Sequence, residues 1–191
     1  MINSLIKHEN KTNNKLSVGN ILNEVYLVPQ WEKIKSFSIS ENVFFFYKRN
    51  LKLNLYRKFS FKNQLEKYSI RTEDEKVLAL MDLKIYKDSV YIIDLNITSK
   101  LNFDKILEKI IQVSVEKALY NTTEKEIVIN LTSGLVTKHK IKKFLLNNEF
   151  TVEENQSNYE KELFGETYTL KLANNSKWMK RIKQFNFLNN K

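Results

Sequence analysis

The chain has no cysteine among its 191 residues, which removes disulfides, thiolate metal sites and cysteine nucleophiles together. Imidazole is almost as scarce. His8 and His139 stand far apart, so neither a histidine metal site nor a histidine-based triad is expected. Three glycines (Gly19, Gly134, Gly165) and one proline (Pro29) punctuate the sequence, so Asn-Gly hairpins and long Pro/Gly linkers are absent. No apolar run reaches the ~20 residues of a membrane span, and "MINSLIKHENKTNNK" has no apolar core of signal-peptide length. These absences predict a soluble, cytoplasmic protein without a transmembrane segment. Arginine is also rare. Of 32 basic residues only Arg49, Arg57, Arg71 and Arg181 are arginine, although the formal net charge is +10. Arginine is the residue of bidentate phosphate and base contacts. A lysine-rich, arginine-poor chain therefore predicts a generic basic surface rather than specific nucleic-acid binding.

What is present is periodicity. Residues 1–15 are polar and predict a flexible N-terminus, followed by a single domain over 16–175 whose N-terminal portion reads as irregular. Pro29 separates two short elements in "SVGNILNEVYLVPQWEKIKSF". "NVFFFYKRNLKLNLYRKF" is aromatic at its start, where strand and helix both remain open. It then alternates Leu51, Leu53, Leu55 against Lys52, Asn54, Tyr56, as a half-buried strand does. Ser60 followed by "FKNQLEKY" predicts a short N-capped helix.

The second half is more regular. "KVLALMDLKIYKD" places Val77, Ala79, Met81, Leu83 and Ile85 on one face of a strand. Asp88-Ser89 makes the turn into "VYIIDLNI", an antiparallel strand. Asn102 is the expected N-cap of a helix, and Asp104 favours its dipole. Phe103, Ile106, Leu107, Ile110, Ile111, Ser114, Ala118 and Leu119 form the apolar stripe, with lysines and glutamates opposite. "EIVINLT" is a strand, and "LVTKHKIKKFLLNNEF" a helix capped near Thr137 that ends at the Asn-Asn pair. "TVEENQ" and "ETYTLKL" are the closing strands. The order β-β-α-β-α-β-β is an antiparallel meander followed by a βαβ unit.

This order, over about residues 76–172, resembles the GNAT fold of the acetyl-CoA-dependent N-acetyltransferase superfamily: α/β, with a mixed, mostly antiparallel sheet flanked by helices. "VYIIDLNI" is similar to the fourth-strand signature of polyamine-type members, and "IKKFLLNNEF" to the fourth helix and its ending. The resemblance implies an acyl-CoA cofactor, acetyl-CoA or another, and transfer of its acyl group to an amine acceptor. In that family the fourth and fifth strands splay. The pantetheine arm bonds to exposed main chain of the fourth strand, and the pyrophosphate rests on the N–H groups opening the next helix. Carried onto this chain, the cofactor-binding residues are Leu95, Asn96, Ile97, Ser99, Lys100, Leu101, Asn102 and Phe103, with Thr98 between them. The chain departs from the pattern in three places. "TSKLNFDK" has no glycine, Leu145 stands where many members place an acidic tyrosine, and Ile93 stands where the strand usually carries glutamate.

Deprotonation of the amine needs a base or a water chain. Asp82, Asp94 and Tyr159 are the candidates, with Tyr168 as a second phenol; for each, a solvated or packing role is the ordinary alternative. The three acids of "TEDEK" suit a cation but are commonly just a loop. The same fold without catalysis is the alternative reading, a binding or assembly module. In "SKWMKRIKQFNFLNNK", residues 176–191, Trp178, Ile182 and Phe185 share one face of a basic amphipathic helix. That helix docks onto the domain or onto a second copy of it, as a homodimer, or contacts RNA or an anionic surface.

Overall fold

The computed structural model describes residues 30–44, 47–60, 64–100, 102–131 and 137–184, and Trp31–Lys191 forms one compact unit. Eight strands make a single sheet: β1 (Glu32–Phe44), β2 (Tyr47–Ser60), β3 (Leu65–Thr72), β4 (Val77–Ile85), β5 (Ser89–Ile97), β6 (Glu126–Leu131), β7 (Thr151–Val152) and β8 (Glu166–Lys171). Their spatial order is β1-β2-β3-β4-β5-β6-β8-β7. Every pairing is antiparallel except β5 with β6. Helices α1 (Phe103–Asn121), α2 (Lys138–Asn147), α3 (Asn158–Phe164) and α4 (Lys177–Gln184) complete the described elements.

From Glu32 on, the portion expected to be irregular is instead a three-strand meander; the N-terminus 1–15 and the break at Pro29 lie outside the described residues. In β2, Leu53 and Leu55 are fully buried, as their alternation predicts. Asn54 is buried too, and its carboxamide oxygen accepts from Ser36 Oγ at 2.8 Å, which removes the cost of an unpaired amide. The helix expected after Ser60 is also overturned, because Leu65–Thr72 is β3. Tyr68 and Ile70 are fully buried there as alternate residues of one strand face. Leu65 and Tyr68 have helical spacing, but eight ladder pairs to β2 outweigh so short a local signal.

Helix α1 crosses β3 to β6. Its predicted stripe is buried, with Leu119 partly so, but the burial extends further: Glu116, expected opposite the stripe, is inaccessible, and so is Gln112. Asn102 occupies the N-cap position, yet its side chain makes no capping bond, because its backbone is left-handed (φ 55°). Thr137 likewise precedes α2 without a side-chain cap bond. Of the strand read in "TVEENQ", two residues pair with β8 before the chain turns into α3. That helix was missed, although "SNYE" (157–160) carries its signature. Ser157 Oγ accepts from Glu160 N–H at 3.2 Å, and Glu160 accepts from Ser157 N–H at 2.8 Å.

The basic tail docks onto its own domain. Trp178 is fully buried and Ile182 nearly so; Trp178 Nε1 donates to Asn148 O at 2.9 Å, and its ring meets Phe150 edge-on at 6.5 Å. Phe185 lies outside the described residues. Glu149 anchors the start of α4, accepting from Ser176 Oγ at 2.5 Å and from Lys177 N–H at 3.1 Å. We therefore expect Trp178→Ala to cost about 3–5 kcal/mol in urea unfolding. Deletion of residues 176–191 should yield an aggregating or less stable protein; an intact melting transition after deletion would refute the docking.

Candidate functional site

The site starts from a conflict between two strands. Among the described residues, strands β5 and β6 pair from Ser89↔Glu126 to Ile92↔Ile129 and no further. Beyond that point β5 stays paired to β4 through Ala79↔Ile97, while β6 stays paired to β8 through Leu131↔Glu166. Each strand keeps its outer partner and loses the inner one, so the sheet forks. The register places a bulge at Ile93, since Asp82 and Leu83 are consecutive opposite Asp94 and Ile92. Burial shows why. Val90 and Ile92 are buried before the bulge, Leu95 and Ile97 after it, and Ile93 itself is 50% exposed. One extra residue changes the parity, keeps the apolar side chains on the core face, and bends the strand.

The turn that follows is bound to the sheet rather than left open. Thr98 and Ser99 N–H groups both donate to Leu78 O, at 3.0 and 3.4 Å, and Thr98 Oγ1 donates to Val77 O at 2.7 Å. The Thr98 hydroxyl and the Ser99 N–H, expected among the anion donors, thus both bond to β4. The helix closes its first backbone bond from Ile106 N–H to Asn102 O, at 3.0 Å. The N–H groups of Phe103, Asp104 and Lys105 precede that bond and have no acceptor within the helix. The left-handed Asn102 does what a glycine does in such a turn. Asparagine is among the few non-glycine residues that tolerate this region.

Beside this helix start lies a cleft of about 610 Å³ between α1, α2 and α4. Phe103 and Phe144 contribute its apolar part, and Lys105, Lys140, Lys143 and Arg181 its charge. Lys140 Nζ lies 5.6 Å from the Phe103 ring centre. Of the residues expected to bind a cofactor, Asn102 and Phe103 line this cleft. Leu95, Asn96, Ile97, Ser99 and Lys100 do not border it, and Leu101 lies outside the described residues. The α2 and α4 cations were missed. A chain this rich in lysine gives no local signal for which lysines converge.

The fold is GNAT-like. The meander, the βαβ unit and the fork between its two parallel strands carry that statement. No family model matches the chain, and a search of the curated proteins finds no match. Among solved structures, the chain is similar to nourseothricin acetyltransferase at 8% identity and a TM-score of 0.43, covering 76% of this chain and 99% of that one. It is also similar to a chimeric spermidine N-acetyltransferase from Vibrio cholerae and hSSAT, at 13% identity and a TM-score of 0.44, covering 64% of this chain and 71% of that one.

The catalytic candidates lie apart. Asp82 and Asp94 face one another across β4 and β5, but Asp82 is paired with Lys67 and its side chain is only 20% exposed. Asp94 is exposed at the fork. Tyr159 sits on α3 at 70% exposure and is not a cleft residue. Tyr168 is fully buried, and its phenol donates to Glu166 at 2.7 Å, so burial and that carboxylate hold its pKa above the ordinary phenol value. Lys142 also holds Glu166, at 3.1 Å. Leu145 is buried apolar core. The acids of "TEDEK" form the β3–β4 turn, where Glu75 accepts from Tyr56 and from Arg71, the latter at 2.9 Å. No group of three or more potential metal ligands occurs among the described residues.

Arg181 reaches the cleft through the Glu149 anchor of α4. The hydrogen bond from Ser176, chiefly, depresses the Glu149 pKa. A depressed carboxylate contributes stability above its unfolded value and loses it as pH falls through the folded value. The stability difference between the natural chain and Glu149→Gln should therefore be full at neutral pH and shrink below the ordinary carboxylate range. A difference unchanged from neutral to acid pH in denaturant titrations would refute the anchor.

Proposed function

We propose that the chain binds an acyl-CoA in the forked cleft and transfers its acyl group to an amine. The observation that carries this reading is the coincidence of three features at one end of the sheet. They are the fork beyond Ile92/Ile129, the N–H groups opening α1 that have no acceptor within the helix, and a lysine-lined cleft beside them. A long ligand with phosphates at one end and a hydrogen-bonding arm at the other suits that combination. An acyl-CoA would supply an activated thioester carbonyl there.

The residues then divide the work. The start of α1 and Lys140 and Lys143 hold negative charge, by helix dipole and by point charge. Main chain of β5 beyond Ile92, freed from β6, offers strand-like hydrogen bonds to the arm. Phe103 and Phe144 exclude water from one wall. Neither Leu145 nor Ile93 transfers a proton, so proton movement falls to solvent and to exposed Asp94 at the fork. Rate enhancement would then come from positioning and main-chain polarisation, giving a modest enzyme. The second reading, a binding module without turnover, is favoured by the Lys67 pairing that takes Asp82 out of acid–base work.

A screen of acetyl-, succinyl- and longer acyl-CoAs against polyamines, amino acids and peptides, read by thiol release, separates the two. We expect turnover whose rate rises steadily over about pH 6 to 9 as the acceptor amine loses its proton, without the bell shape of an acid–base pair. Acyl-CoA binding without turnover would leave the binding module, and absence of binding would overturn both.

A further inference from the structure

We propose that β1 and β2 carry a second binding site, apart from the forked cleft, for a small polar carboxylate of the hydroxy-acid class. The site is a cavity of about 570 Å³ bordered by Lys33, Ser36, Ser38, Lys52, Asn54 and Glu73. Three strand spacings separate β2 from β5, about 14 Å, so the ligand is a molecule other than one held at the fork. The inference does not depend on the acyl-CoA reading.

The floor of the cavity is Asn54, which is 7% exposed and flanked along β2 by the fully buried Leu53 and Leu55. A carboxamide at such a position costs stability unless both of its ends find partners. Ser36 Oγ donates to its Oδ1 at 2.8 Å. Its Nδ2 has no acceptor among the described residues, yet it is not sealed off, because no sealed side-chain nitrogen or oxygen among them lacks a partner. One end of the amide is therefore satisfied within the sheet, and the other presents two N–H donors to the cavity.

A bulge brings charge to the same place. Lys33 pairs with Tyr56 and Lys35 with Leu55, so Ile34 is an extra residue in β1. Lys33 and Ser36 are three residues apart, and regular alternation would put them on opposite faces. The extra residue sets Lys33 on the face shared by Ser36, Asn54 and Tyr56, as a bulge does when it re-aims a side chain. Lys33 belongs to no ion pair among the described residues, its neighbour Glu32 being held by Arg57 at 2.9 Å. Lys52, by contrast, stands 3.8 Å from Glu73.

These groups define the ligand. Two amide donors and one uncompensated ammonium match the two oxygens and single charge of a carboxylate. A phosphate, with nearly two charges, is under-compensated where Glu73 already answers Lys52. The rest of the lining, Ser38, Lys52 and Glu73, is polar, so a hydroxyl-bearing body fits it better than an apolar one.

Titration of the full chain with lactate at constant ionic strength tests the proposal, read from the Asn54 side-chain amide in proton–nitrogen correlation spectra. That amide pair should shift and saturate with a Kd of about 1 mM, within reach of a ligand this small. Lys33→Gln should weaken lactate about tenfold, whereas Glu73→Gln should tighten it about twofold. Both residues are exposed, and opposite effects at two exposed positions are not what a loss of folding produces. Inorganic phosphate should bind at least about threefold more weakly than lactate; equal or tighter binding overturns the carboxylate assignment. An unmoved Asn54 amide, or a shift that stays linear in lactate concentration, overturns the site. Substitutions that change affinity in the same direction, or not at all, overturn the roles given to Lys33 and Glu73.

Discussion

Parallel pairing of β5 with β6 for only four residues is the constraint on which this architecture turns. Two strands that continue beyond their shared ladder leave main-chain groups between them, and such groups must find water or a ligand. The bulge at Ile93 makes the divergence compatible with a sealed core. If β5 instead kept its regular alternation through Ile93, Asp94 and Asn96 would face the apolar side of the sheet, and Leu95 and Ile97 would face solvent. An opening in the sheet and an intact hydrophobic face are thus produced by the same one-residue insertion.

The second constraint is the shortage of glycine. Among the described residues, five non-glycine positions have positive φ: Gln64, Glu75, Asn102, Lys125 and Glu149. A left-handed conformation costs a non-glycine residue roughly 1 kcal/mol or more, so each needs compensation. For two of them it is visible. Glu75 is held by Tyr56 and Arg71, and Arg71 lies 4.9 Å from the Trp31 ring centre and 4.6 Å from that of Tyr56. Glu149 is held by Ser176 and the start of α4. Side chains that must sit at turns in this conformation have been recruited as anchors between elements.

Much of this fold could be read from period alone. The alternations of β2 and β4 and the stripe of α1 follow from side chains with one buried face, and there periodicity carries the information. The misreadings have local causes. Leu65 and Tyr68 have helical spacing while Tyr68 and Ile70 have that of a strand face, so only the β2 ladder decides. The "SNYE" capping box was legible but sat inside a polar stretch without an apolar stripe to announce a helix. Gln112 and Glu116 are polar by type and buried by position, which no periodicity predicts. The site was less legible than the fold. Asn102 and Phe103 could be named from the sequence and line the cleft, because a strand–turn–helix junction is sequence-local. Lys140, Lys143 and Arg181 come together only through the packing of α2 and α4 against α1, and in a chain with a net charge of +10 their type says nothing.

The C-terminal helix joins these threads. Read alone, its charge suggests a surface that meets RNA or lipid. Its buried Trp178 and Ile182 instead spend the apolar stripe on the domain, which leaves the charged side to be used in place. Docking therefore has a consequence beyond stability. It carries an arginine, the scarce cation of this sequence, to a cleft otherwise furnished with lysines, and fixes its plane with Asn148, Glu108 and an indole ring. A lysine on a flexible stem can follow an anion; a guanidinium held in this way selects where the anion must lie. On that reasoning the lysines of the cleft set how strongly it attracts negative charge, and Arg181 sets where within it that charge can lie.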